Sequence, residues 1–169
     1  VFCLDVQWEW NRVLTGSWDC TLRLWDLASC NSVKELRGHS NAVFAVAMSW
    51  PSQRALSGGS DNSVCVWDLS QDGSADESFN LLHRMEGHLA AVTCIEVDWT
   101  AMQAASGSQD GTVRLWSLET YSVLKLLPAH LNEIRCIQVR WPSQAQVATQ
   151  AAASVPGAHL WSRGTAVPR

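Results

Sequence analysis

Apolar and polar residues alternate along this chain in short runs, each cut off by a polar turn. Val43–Met48, Arg54–Ser57, Val64–Trp67 and Leu81–Met85 are β-rich runs. Trp50-Pro51-Ser52-Gln53 separates the first from the second, and Gly58-Gly59-Ser60-Asp61-Asn62 the second from the third. Successive side chains of a strand point to opposite faces, so period-2 alternation bounded by Gly, Pro, Ser and Asn predicts short strands joined by tight turns. Four such runs in one unit predict a four-stranded antiparallel sheet.

The unit recurs. Trp25, Trp67, Trp116 and Trp161 lie 42, 49 and 45 residues apart, and Trp8, Trp50, Trp99 and Trp141 lie 42, 49 and 42 apart. His39, His88 and His130 follow the same spacing, each 11 residues before a tryptophan of the second series. A period of about 40–45 residues marks a repeat architecture, in which each unit shares its apolar surface with its neighbours. The repeats fall at about 1–37, 38–86, 87–128 and 129–169, the last degenerate. The extra length of the 49-residue period lies between Asp68 and Gly87, in the polar, acidic stretch QDGSADESFN. Its composition predicts an exposed loop.

Three features are shared between units: Gly-His, a Ser-Gly-rich turn ending in Asp, and Trp-Asp. Gly38-His39 and Gly87-His88 are intact, as are Trp25-Asp26 and Trp67-Asp68, whereas Ala129-His130, Trp116-Ser117 and Trp161-Ser162 are variants. With 28 residues from histidine to tryptophan in both full units, the chain resembles WD repeats over roughly residues 1–141. The resemblance implies an all-β fold, with β-propeller blades of four antiparallel strands. Counting units implies an open partial propeller of three full blades plus one incomplete blade. From Ser143 to Val155 the Ser-Gly-Ser-x-Asp turn is missing.

Each full unit carries His, Ser and Asp, a set that by itself invites a hydrolase reading. A nucleophilic site is one constellation in one pocket, whereas this set recurs at matched spacing with a tryptophan attached. The family comparison implies a structural hydrogen-bond network instead: His39, Ser57, Asp61 and Trp67 in the second unit, and His88, Ser106, Asp110 and Trp116 in the third. Thr15, Asp19 and Trp25 are what the first unit keeps of it. The resemblance also implies partner-binding slots on one face: Ala42, Phe44 and Ser60; Ala91, Thr93 and Gln109; Glu133 and Arg135; and Trp18. Trp18 and Phe44 stand out as large aromatics where other units carry polar residues.

Composition narrows the function. A net charge of −4 gives no electrostatic reason to expect nucleic acid, and no apolar run is long enough to span a bilayer. No charged-then-apolar leader opens the chain. Cys3, Cys94 and Cys136 share one repeat position, held by Ala45 in the second unit, which reads as a small buried site. No Cys-x-x-Cys motif signals zinc. Reduced thiols point to an intracellular protein, cytoplasmic or nuclear. The expectation is a non-catalytic scaffold, without cofactor or metal, that mediates protein–protein interactions within a larger complex. Alternatives are the substrate-recognition module of a ubiquitin ligase and, less favoured, a propeller-based enzyme. Since propellers close with roughly four to eight blades, self-association through open edges is a further expectation.

Overall fold

In the computed structural model, which describes residues 1–70 and 80–141, the alternating runs form strands. β1 (Cys3–Gln7), β2 (Arg12–Gly16), β3 (Thr21–Asp26) and β4 (Asn31–Arg37) pair in that order as one antiparallel sheet. β5 (Val43–Ser49), β6 (Arg54–Gly59), β7 (Val64–Asp68) and β8 (Leu81–Met85) form the second sheet. β9 (Val92–Asp98), β10 (Gln103–Ser108), β11 (Thr112–Ser117) and β12 (Ser122–Pro128) form the third. These are three β-propeller blades. β5 lies against β1 and β2, and β9 against β5 and β6, so the first strand of each blade packs on the inner strands of the blade before it.

The turns are as repetitive as the strands. Asn11, Gln53 and Met102 occupy one repeat position and all have φ near 51°. Cys20, Asn62 and Gly111 share a second left-handed position, and Cys30 and Tyr121 a third. Left-handed backbone costs a non-glycine residue about 1–2 kcal/mol, least for Asn. Gln53 ties its side-chain amide back to Trp50 O within the turn at 2.8 Å, but Met102 and Tyr121 have no such bond in theirs, so strand pairing on both sides imposes that geometry. A second regularity sits at the tryptophans. The register between the last two strands shifts at Leu24/Trp25, Val66/Trp67 and Leu115/Trp116. The extra residue on the outer strand is Val33, Leu82 or Leu124, each exposed despite being apolar. A bulge turns that side chain out and irregularises an edge that could otherwise template another strand.

Two cores form, and each is shared between blades. Leu14, Leu22, Leu24 and Leu36 of blade one pack with Val43, Met48, Ala55, Cys65, Trp67 and Leu69 of blade two. Leu56, Val64, Val66 and Met85 of blade two pack with Val92, Ala104, Trp116 and Leu118 of blade three. Trp50 and Trp99 join these cores from the end of the first strand. The Arg12 guanidinium lies 4.9 Å from the Trp50 ring centroid and 2.6 Å from Asp26, so it links two blades. Trp8 departs from the expectation that this tryptophan series packs between blades. It is 75% exposed, because no described residues cover the face of blade one that Trp50 and Trp99 cover in theirs.

Where blades meet, the residue after the strand Ser or Thr is glycine for lack of space. A Cβ on Gly58 would fall 2.5 Å from Val92 Cγ1, on Gly16 2.7 Å from Val43 Cγ1, and on Gly107 2.7 Å from Ile134 Cγ2. The Ile134 N–H donates to Ser108 O at 3.0 Å, as the Val43 N–H does to Ser17 O. Residues 129–139 therefore approach blade three as β5 approaches blade one, although they pair as no strand. The rest of the fourth repeat, from residue 142, and most of the 69–86 linker, from 71 to 79, lie outside the described residues. Cys3 and Cys94 are half-buried, and burial pushes the Cys3 thiol up to about 11 and raises that of Cys94. Cys136 corrects the expectation of a buried site: it is exposed, having no sheet around it.

Replacing Gly58 with valine forces side-chain volume into a filled blade interface and should cost about 1–3 kcal/mol. A fall in the urea unfolding midpoint measures it, with Ser60→Ala, at a half-buried turn position, as the near-neutral comparison.

Candidate functional site

Two strands, a turn and the segment leading into β5 meet in one hydrogen-bonded chain. Trp67 on β7 is fully buried, and its indole N–H donates to Ser57 Oγ on β6 at 2.7 Å. Ser57 Oγ is also 2.7 Å from His39 Nε2, and His39 Nδ1 is 2.9 Å from Asp61 in the β6–β7 turn. Asp61 accepts the Ser40 N–H at 2.9 Å and the Ser63 hydroxyl at 2.8 Å. Blade three repeats the arrangement. Trp116 Nε1 is 2.8 Å from Ser106 Oγ, which is 2.7 Å from His88 Nε2, and His88 Nδ1 is 2.9 Å from Asp110. In blade one Trp25 donates to Thr15 Oγ1 at 2.9 Å, and Asp19 accepts from the Thr21 N–H and hydroxyl rather than from a histidine.

The geometry bears on the hydrolase reading of these residues. Ser57 is fully buried, Ser106 nearly so, and each hydroxyl already lies between an indole N–H and an imidazole. A nucleophile needs a substrate carbonyl within reach, and these hydroxyls have no open side.

Blade two adds a residue that the sequence pattern does not flag. Arg84 on β8 places Nη1 3.0 Å from Asp61 and 2.7 Å from Ser63 Oγ, and also bonds Gly38 O. In blade three the corresponding cation is Arg114, one strand inward, whose guanidinium lies where a Cβ on Gly87 would fall. Cys65 holds the Arg114 position in blade two and pairs across the ladder with Arg84. The smaller cysteine leaves room, and the neighbouring strand fills it with charge. Aligning Cys65 with Arg23 and Arg114 could have signalled a missing cation, though not where its replacement comes from.

The two histidines consequently differ. Burial opposes the charge of His39, but the hydrogen bond to Asp61 and the adjacent Cys65 outweigh it and raise its pKa to about 9. Burial also dominates at His88, where Asp110 resists and the Arg114 charge reinforces the effect, so its pKa falls below the ordinary value. For Asp61, burial is outweighed by His39, the Ser40 N–H and Ser63, which hold the carboxyl far below the usual carboxylate range. Asp110 is lowered too, burial being outweighed by Thr112, the Leu89 N–H and His88. At neutral pH His39 donates from both ring nitrogens. Neutral His88 donates from Nδ1 to Asp110 and accepts the Ser106 hydroxyl at Nε2.

The candidate binding positions divide by exposure. Trp18 is 68% exposed and tilts against Phe2, with ring centroids 5.5 Å apart. Phe2 packs edge-on to half-buried Phe44 at 5.3 Å, so the three rings form one rim cluster. Phe2 holds the repeat position of Phe44, Thr93 and Arg135, six residues before Trp8 as they are before Trp50, Trp99 and Trp141, so the alignment of the repeats could have added it to the binding slots. Gln109, Glu133 and Arg135 are exposed, with Glu133 and Arg135 paired to each other, and Ser60 is half-buried. Thr93 is half-buried, and its hydroxyl donates to the Gly107 and Ile134 carbonyls. Ala42 and Ala91 correct the expectation of a partner surface. They are buried beneath the turn, and their carbonyls accept the Ser60 and Gln109 N–H groups. Among the described residues no group of three or more His, Cys, Asp or Glu could hold a metal ion.

Two comparisons bear on this geometry. The WD domain, G-beta repeat family matches residues 1–26, 30–68 and 79–117, which are one stretch in each blade. The chain is also 40% identical over 48 residues to the anaphase-promoting complex subunit cdc20 of Dictyostelium discoideum. That stretch is 27% of this chain and 10% of the relative, so the similarity spans a small part of it.

The shifts make a pH prediction. His39 stabilises the fold fully below its unfolded value near 6.5 and loses that contribution as pH rises through about 9. His88 works in the opposite sense: its contribution is present above 6.5 and lost as pH falls through its lowered value. Imidazole nitrogen NMR at pH 7.5 should show the His39 ring charged and the His88 ring neutral; a neutral His39 would contradict the assignment. Asp61→Ala, which leaves His39 and Arg84 unmatched, should cost about 2–4 kcal/mol in urea unfolding.

Proposed function

The chain belongs to the WD domain, G-beta repeat family, and from that premise we propose that it is a non-catalytic scaffold binding protein partners within a larger complex. The observation that carries the reading is the rim cluster of Phe2, Trp18 and Phe44. Trp18 stands where the other two blades carry Ser60 and Gln109, so the frame does not require an aromatic there. Clustered exposed aromatics bury much area at low conformational cost, which is why they dominate interface energies. The repeated Trp–Ser–His–Asp chains hold the blades and their turns in place, and the variable rim supplies recognition.

Further observations support the same reading. The relative from Dictyostelium is by name a subunit of a complex. A net charge of −4 disfavours a nucleic acid partner. No helix among the described residues is long and apolar enough to cross a membrane. All six cysteines are free, which fits a reducing, intracellular setting, cytoplasmic or nuclear.

The test compares proteins captured from a cell extract by the tagged chain with those captured by a Trp18→Ala/Phe44→Ala variant. The variant should lose the specific partners while keeping its circular dichroism spectrum. Capture of the same partners would move the interface away from this rim.

A further inference from the structure

The three blades use one pair of positions differently. The residue two before each third-strand tryptophan lies across the ladder from a residue of the outer strand: Arg23 from Glu35, Cys65 from Arg84 and Arg114 from Leu126. In blade one the two form an ion pair, with Arg23 Nη2 3.1 Å from Glu35 Oε2. In blade two the cation is Arg84, which bonds Asp61 and Ser63. Blade three keeps the arginine of blade one and puts a leucine where its acid stands. Among the described residues Arg114 makes no hydrogen bond or ion pair, and its Nε is buried without a partner. Glu86, the acid next to Gly87, is exposed and acts on Arg84 instead.

A half-buried guanidinium that has given up water without finding an acceptor gains from any carboxylate that reaches it. Its surroundings are apolar and open. Leu126 is 48% exposed, although Glu35 and Arg84 show that this place accepts a charged side chain. Arg114 Nη1 also lies against Gly87, 2.6 Å from where a Cβ would fall. From there the chain runs through His88 to Leu89, which is 84% exposed where blade two has Ser40. We propose that Arg114, Leu126 and Leu89 form a docking point for a partner-protein segment carrying an acidic residue flanked by apolar ones, its carboxylate standing to Arg114 as Glu35 stands to Arg23. A basic segment is repelled there, and a purely apolar one buries the guanidinium without an acceptor. Burial lowers the pKa of His88 and the Arg114 charge adds to that effect, so a carboxylate docked on Arg114 raises it again.

The test selects short linear peptides from a random phage-displayed library on the intact chain. Enriched sequences should carry Asp or Glu beside Leu, Ile, Val or Phe. A synthetic peptide of the most enriched sequence should bind Arg114→Gln and Leu126→Glu roughly tenfold more weakly, or worse, than the unaltered chain. Leu126→Glu builds the ion pair of blade one into blade three, so it should block the peptide while leaving the thermal unfolding midpoint unchanged or higher. Leu126→Gln, of the same shape without the charge, should bind better than Leu126→Glu. Nitrogen NMR of the His88 imidazole should show its pKa rising when the peptide binds, and a peptide with glutamine in place of its acid should leave it unmoved. No enrichment, enrichment without an acidic residue, equal affinity for Arg114→Gln, or an unmoved His88 overturns the proposal.

Discussion

A buried indole N–H has no water to bond, and its need for a partner organises each blade of this chain. In all three blades the tryptophan of the third strand donates to a Ser or Thr hydroxyl on the second, across the pair of strands that carries the tight turn. In two blades that hydroxyl is held by a histidine from outside the sheet, and the histidine by the aspartate of the turn. One chain of bonds thereby ties two strands, their turn and the segment that leads into the blade. Because each member is buried, a missing one leaves an unmatched donor or acceptor, which penalises alternative arrangements more than the bonds favour this one.

That arrangement tolerates substitution in its surroundings. Blade three puts its cation on the third strand as Arg114; blade two has Cys65 there and draws Arg84 across from the fourth. The two networks use the same kinds of atoms, yet their histidines shift oppositely: burial, reinforced by the Arg114 charge, outweighs Asp110 and lowers the pKa of His88, whereas the bonds to Asp61 and Cys65 outweigh burial and raise that of His39. Identical geometry in a repeat therefore does not mean identical chemistry.

Among the described residues, the exposed aromatics Phe2, Trp8, Trp10 and Trp18 all lie in blade one. Its rim holds the aromatic cluster built on Trp18, and its uncovered face holds Leu4, Trp8 and a cavity beside Trp25.

The sequence by itself determined the strands, their order and the spacing of the Trp, His, Ser and Asp positions, because these depend on local alternation and on a period that three copies reinforce. Leu81–Met85 was legible to the residue, and β5 to within one. It did not show which alternation faced a neighbour and which faced solvent. Ala42 and Ala91 read as surface but lie beneath a turn, and Trp8 reads as its series-mates yet stands exposed. The left-handed Gln53, Met102 and Tyr121 have no composition signal, since turn length between paired strands forces them. Phe2 joins Trp18 and Phe44, and Arg84 reaches Asp61, only once the chain has brought separate strands together. Periodicity is a local property, readable one residue after another. Burial and partnership depend on which blade lies alongside, and only the tertiary structure decides that.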